Sequence, residues 1–218
     1  AALCSPSRAA LMTGRYPNGP WQRADRPLID VSYDDQADDA LMVSNPSVTM
    51  MKDGKILLIY KAVAKHNPLP FGGPVTHQAA IAESPLGPYT KYKKRIFYRE
   101  GEKFPSEDPY IWYQADEDTY YAIVKDNYGI FTNEGTSLAL FKSMDGLDWE
   151  VAKNPLVSKV EICRSDGVVE EVSKLERPQV LMEDGIPIVM YCAVAYGNPM
   201  HNLTKNVHIP LIDFKTKE

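Results

Sequence analysis

Apolar and polar positions along this chain alternate in short runs, and no long stretch keeps the helical period of about 3.6 residues. Runs rich in Val, Ile and Tyr fall at Pro46–Met51, Ile56–Val63, His77–Ser84, Tyr110–Gln114, Tyr120–Asp126, Ser137–Ser143, Pro178–Met182, Pro187–Ala195 and Val207–Leu211. Gly, Pro, Asn and Asp bound them, which is the punctuation of strands joined by turns. Asp53-Gly54 and Asp184-Gly185 offer the positive φ that tight hairpins need. The pattern predicts an all-β chain.

The strands also repeat. Ser44-Asn45-Pro46-Ser47, Glu107-Asp108-Pro109-Tyr110 and Glu176-Arg177-Pro178-Gln179 each open a unit of strand, turn and aromatic-rich strand. Their spacing of about 65 residues suits four-stranded propeller blades with generous loops. ESPLGPYTKY in the first unit and KSMDGLDWEVA in the second each read as a third strand, a Gly turn and an aromatic opening an outer strand, so Trp149 is expected to be structural. The third unit stops after VHIPLIDF, and its outer strand is expected to be weak or missing.

Composition narrows the function classes. The 218 residues carry a net charge of −5, with 44% apolar and 24% charged side chains, ordinary for a globular protein with a core. The densest basic run, KYKKR at Lys91–Arg95, sits between turn signals and reads as a solvated edge strand rather than a nucleic-acid patch. Cys4, Cys163 and Cys192 have no C-x-x-C spacing, so neither a zinc knuckle nor a disulfide scaffold is expected, and Cys192 in IVMYCAVA reads as core. No apolar run is long enough to span a membrane, and no signal-peptide pattern is visible. Trp112, Tyr113, Tyr120 and Tyr121 read as packing between strands rather than as a sugar platform.

Two resemblances follow from particular residues. CSPSRAALMTGRYP at Cys4–Pro17 resembles the nucleophile signature of type I sulfatases, in which Cys4 would become formylglycine with Arg8 in support. That family also needs a calcium site and Lys and His partners on a large α/β domain. None is expected in the rest of this chain, where Asp34, Asp35, Asp38 and Asp39 form an acidic loop of unmatched spacing. Residues 1–18 therefore read as a catalytically empty fragment, with a short helix capped by Ser5 or Ser7 and ending at Gly14. From Gly19 onward NPSV…DGKILLIYKA, ESPLGPY, EDPYIWY…YYAIVKD, SMDGLDWE and LERPQVL…DG together resemble five-bladed propeller glycoside hydrolases of family 43 and related agar-oligosaccharide hydrolases. GPWQRADRPLID at Gly19–Asp30 resembles the outer strand of a blade whose inner strands are absent. The resemblance implies a partial propeller over residues 19–218, about three blades of five, acting on plant or algal polysaccharide. It implies no cofactor, a carbohydrate partner, and a parent that is usually secreted or periplasmic.

Glycosidic hydrolysis needs two carboxylates across the scissile bond, one as acid and one as base. A carboxylate beside a proline at the start of an innermost strand would be held rigidly at the propeller axis. Asp108 and Glu176 fit that description. The resemblance implies that Glu176 is the general acid and Asp108 the group that positions it and raises its pKa. The matching place in the first unit is Asn45, which is no base, so the inverting base is expected from a blade this chain lacks. Arg177 is a candidate to bind a substrate carboxylate or sulfate. His66 and His77 flank the loop HNPLPFGGPVTH and are candidates to bind substrate or metal. Two alternatives stand beside this reading. Asn45, Asp108 and Glu176 would suit Ca²⁺ or another divalent cation, as in propeller lactonases and phosphotriesterases. Otherwise the chain is an inactive glycan-binding or oligomerisation module. Three blades leave open flanks, which predicts a homo-oligomer, a dimer first, with residues 1–30 at the interface.

Overall fold

A computed structural model describes residues 27–68, 72–197 and 203–211, and every regular element among them is a strand. The sulfatase-like stretch, its expected helix, Cys4 and most of Gly19–Asp30 lie outside the described residues. The first sheet is a meander of β1 (Met42–Met50), β2 (Ile56–Val63), β3 (Val75–Ala82) and β4 (Thr90–Ile96). The second repeats it with β5 (Ser106–Gln114), β6 (Thr119–Asp126), β7 (Ser137–Ser143) and β8 (Glu150–Lys159). The third contains β11 (Lys174–Glu183), β12 (Ile186–Tyr196) and β13 (Leu203–Pro210), and no fourth strand among the described residues. A small hairpin of β9 (Glu161–Cys163) and β10 (Val169–Glu171) precedes it.

The chain is thus all-β and built from blade-like antiparallel sheets. Local chemistry explains the joints. Asp184 and Gly185 both take positive φ (50° and 79°), the two-residue turn whose twist matches its strands. The β1–β2 turn is longer: Met51 N–H donates to Lys55 O at 2.8 Å, and within it Gly54 takes a positive φ of 85°.

The sheets stack face to face, and strand periodicity decides which residue faces which neighbour. Along β6, Tyr120, Ala122 and Val124 join Leu57, Ile59 and Phe97 of the first sheet region, while Ile123 points the other way into Leu175, Met190, Cys192 and Val194. Both faces of the middle sheet are therefore buried, which is why β6 is nearly continuous in apolar residues. Cys192 lies in that core, where burial pushes its thiol up to about 12. The turn Asp145–Gly146 presses on the first sheet: a Cβ on Gly146 would lie 2.6 Å from Leu57 Cδ2. Trp149 packs edge-on to Phe97 and donates its indole N–H to Gly146 O.

The basic run lies in β4, at the edge of its sheet. Arg95 forms two 2.7 Å bonds to Asp38, and Lys91 reaches buried Asp39, so the acidic loop straps the far face of the first sheet. Ile29 packs there on Leu58 and Tyr60.

Candidate functional site

The first strands of the three sheets, β1, β5 and β11, lie side by side, and each breaks register at its proline. The breaks fall at Ser44/Ser47, Glu107/Tyr110 and Glu176/Gln179. In each bulge the residue before proline is left-handed: Asn45 at φ 48°, Asp108 at 51° and Arg177 at 57°. A residue before proline ordinarily stays extended, so the bulge, rather than the proline ring, aims these side chains.

They are aimed at one another. Asn45 Nδ2 donates to Asp108 Oδ1 at 2.9 Å, and Arg177 Nε lies 3.7 Å from Asp108 Oδ2. Asp108 is buried, with 2% of its side chain exposed. A second ring of charge surrounds this trio. Lys61 of β2 pairs with Glu107 of the next sheet at 2.9 Å, and Lys125 of β6 pairs with Glu176 of the sheet after that. Lys174 approaches Glu176 from its own strand at 3.9 Å. The register is shared: Ser44 lies opposite Lys61, Glu107 opposite Lys125 and Glu176 opposite Ala193. The lysine of one sheet thus reaches the glutamate of the next, twice.

Several sequence expectations change here. The expected partnership of Asp108 with Glu176 is off by one residue, because the bulges match Asp108 to Arg177 and Glu107 to Glu176. The expectation of a raised Glu176 pKa is reversed. Burial pushes the carboxyl up, but hydrogen bonding and charge from Lys125, with Lys174 and Arg177, outweigh it and hold the group below its usual range. The metal alternative fails on the donor set. Asn45 turns its amide N–H₂ toward Asp108, Glu176 is engaged by Lys125, and no group of three or more His, Cys, Asp or Glu among the described residues could hold an ion.

His77 is also corrected. It sits inside β3, fully buried, beyond reach of a substrate. Ser106 Oγ donates to Phe97 O at 2.7 Å and meets His77 Nδ1 at 3.3 Å, so Nδ1 carries the proton. Nε2 is buried with no hydrogen-bond partner, as is Ser44 Oγ at the other end of the cross-strand row Ser44–Lys61–His77. Burial, helped by the charge of Lys61, pushes the imidazole down to about 3. His66 is exposed on the loop between β2 and β3, which leaves the sheet at the end where Asn45 lies.

Lys61, Glu107 and Lys125 escaped the sequence reading. Their signal was present in the repeat: each lysine stands near the end of the second strand of its unit. Asp126 also escaped it. Buried at the end of β6, it accepts the backbone N–H groups of Tyr128, Ile130, Phe131 and Thr132 at 2.8–3.3 Å, and so shapes loop 127–136 beside the cluster. The aromatic residues pack as expected: Tyr120 is buried, and Trp112 stacks on Tyr121 at 5.4 Å. A cleft lined by Lys94, Met144, Asp148 and Trp149 lies at the opposite ends of the strands and contains none of the cluster.

No protein-family model matches the chain, and no curated protein does. Solved structures do. A protein described as a glycoside hydrolase matches with a TM-score of 0.55 at 15% identity, over 85% of this chain and 51% of its own. A family 117 glycoside hydrolase from the marine bacterium Zobellia galactanivorans matches with a TM-score of 0.52 at 17% identity, over 88% of this chain and 48% of its own. Fructan 1-exohydrolase IIa from Cichorium intybus matches with a TM-score of 0.51 at 14% identity, over 81% of this chain and 34% of its own. The chain spans 34–51% of these structures' length. At these identities the likeness is one of fold, that of propeller-type glycoside hydrolases.

Proposed function

We propose that this chain acts on carbohydrate through the cluster at the ends of β1, β5 and β11, in the manner of a glycoside hydrolase. The observation that supports this most is the meeting of three strained pre-proline residues, with Asn45 and Arg177 both directed at the buried carboxylate of Asp108. Left-handed non-glycine residues cost about 1–3 kcal/mol each, and they collect where side-chain aim matters more than stability. Glu176 is the reacting carboxylate, and Asp108 positions Asn45 and Arg177 beside it.

With its pKa held down, Glu176 stays ionised near neutrality and suits the base or nucleophile rather than the acid. Glu107 is engaged by Lys61 at 2.9 Å, as Glu176 is by Lys125. A proton donor would come from outside the three sheets, in keeping with a chain that corresponds to about three blades of a larger ring. The ionic engagement of both glutamates favours a second reading, in which the chain binds saccharide without cleaving it. The dimer reading belongs here too: a second copy would cover the open flanks and bring two clusters together, with residues 1–30 at the interface.

Hydrolysis and binding of oligosaccharides, measured side by side on the whole protein, test the proposal. Glu176→Gln is expected to abolish turnover while the protein stays folded, with a fall in Tm no greater than the drop of about 3–10 °C that loss of the Lys125 pair brings. Unchanged turnover removes Glu176 as the reacting group, and binding without turnover in the parent protein selects the second reading. Sedimentation tests the dimer: a monomer at micromolar concentration refutes it.

A further inference from the structure

We infer that the saccharide recognised at this cluster is acidic, and that Arg177 together with Lys174 binds its carboxylate or sulfate. The inference rests on the carbohydrate reading above and narrows it.

The first argument is backbone strain. Asn45 and Asp108 tolerate the left-handed conformation because their short polar side chains can bond locally. Arginine has no such relief, yet it occupies the same position in the third repeat, at φ 57°. A strained arginine where an asparagine would be cheaper calls for a use of the guanidinium itself.

The second argument is the order in which a ligand meets the charges. The carboxylates lie deepest: Asp108 is 2% exposed, Glu176 19% and Glu107 23%. The most exposed charged groups of the cluster are both cations, Arg177 at 40% and Lys174 at 45%. A ligand entering from solvent therefore encounters positive charge before negative.

The third argument is charge balance. Lys61, Lys125, Lys174 and Arg177 give four positive charges against three from Glu107, Asp108 and Glu176. Among the residues that form these ion pairs the excess is one positive charge, the neighbouring Asp126 being engaged by backbone N–H groups of its own loop. A neutral sugar gains little from such a surplus, because its hydroxyls are served as well by amides and carboxylates. An oxyanion uses it fully, through the planar fork of an arginine and a neighbouring ammonium. Asp108 lies 3.7 Å from Arg177 Nε and steers the guanidinium.

Titration calorimetry on the whole protein tests this with three sets of oligosaccharides: oligogalacturonates for the carboxylate, sulfated galactan oligosaccharides for the sulfate, and neutral galactan oligosaccharides of equal length. At least one acidic set is expected to bind about tenfold or more tightly than the neutral set, with an advantage that shrinks as salt rises. The set that wins identifies the oxyanion. Arg177→Gln and, separately, Lys174→Gln are expected to weaken binding of the acidic set by a larger factor than binding of the neutral set, erasing most of that advantage. Lys174 is exposed, so its variant carries the test if Arg177→Gln fails to fold. Neutral oligosaccharides binding as tightly as both acidic sets overturn the inference and leave the carbohydrate reading standing. Equal acidic affinity in parent and Lys174→Gln removes Lys174 from the site and overturns the shared role. Failure of all three sets to bind overturns the carbohydrate reading, and this inference with it.

Discussion

Replacing Lys125 by methionine isolates the contact that governs Glu176. Methionine keeps most of the aliphatic stem and its packing, and removes only the charge and its hydrogen bond. Lys125 is 12% exposed and Glu176 19%, so the pair is shielded far better than a surface ion pair but is not fully desolvated. Breaking a buried pair costs about 3–5 kcal/mol and an exposed one about 0–1, which places this loss at about 1–3 kcal/mol. For a chain of this size that is a drop of about 3–10 °C in Tm. The sign of the pH dependence follows. Glu176 is held below its usual range when folded, so the pair stabilises the fold above the unfolded glutamate value of about 4.3 and ceases to do so as pH falls through the lower folded value. In Lys125→Met burial dominates, the carboxyl is pushed up, and an uncompensated charge is carried at neutral pH. The gap between parent and variant should be widest at neutral pH and should narrow as pH falls through the unfolded value of about 4.3 toward the lower folded one. Adding Glu176→Gln to Lys125→Met should recover part of the loss at pH 7. Urea unfolding at pH 7 and pH 4 measures all of this. A Lys125→Met protein as stable as the parent at pH 7, or equally weakened at both pH values, would refute the assignment.

Three further predictions concern the surroundings of the site. His77 is pushed down to about 3, so the fold rejects a proton that the unfolded chain accepts below about 6.5; stability should decline from there toward acid by at most about 1.4 kcal/mol per pH unit, and His77→Gln should flatten the difference in urea midpoint between pH 7 and pH 5. An unchanged difference argues against a buried neutral imidazole. Asp126→Ala strands the N–H groups of Tyr128, Ile130, Phe131 and Thr132 and should cost about 3–5 kcal/mol, with new protease cleavage within residues 127–136; a loss under about 1 kcal/mol would show that water replaces the carboxylate. Gly146→Ala adds a clash with Leu57 to its positive φ of 76° and should cost about 1–3 kcal/mol more than Gly54→Ala, which meets open space at φ 85°; equal thermal shifts in the two variants would refute the close approach of that turn.

The strands were legible where a strand is buried on both faces or bounded by strong turns. Ile56–Val63 and Ser137–Ser143 match β2 and β7 residue for residue, since tertiary packing agrees there with local pattern. The hairpin of β9 and β10 was hidden because EIC and VEE carry polar side chains around an Asp-Gly turn and bury little. The repeat grouped Asn45, Asp108 and Glu176, because chemical similarity chose the wrong member of the third unit. Two carboxylates near prolines suggested Asp108 with Glu176, although Asp108 adjoins its proline and Glu176 stands two residues before its own. Only the shared bulge reveals the offset. Likewise His77 looked like a loop ligand by sequence position, whereas β3 begins two residues earlier and draws it into the interior.

The lysine-to-glutamate contacts between successive sheets give the chain something like a coupling standard. The middle sheet has both halves of the joint, Glu107 to receive and Lys125 to give, while the first has only the donor Lys61 and the third only the acceptor Glu176. At the outer ends of the series stand Ser44 and Ala193, which carry no charge to be paired. A duplicated middle sheet could therefore be spliced between the second and third with every joint filled, whereas a duplicated third sheet would present Ala193 to the second Glu176 and leave that carboxylate without its lysine. Lengthening by internal duplication is, on this logic, open at one place in the chain and closed at the other.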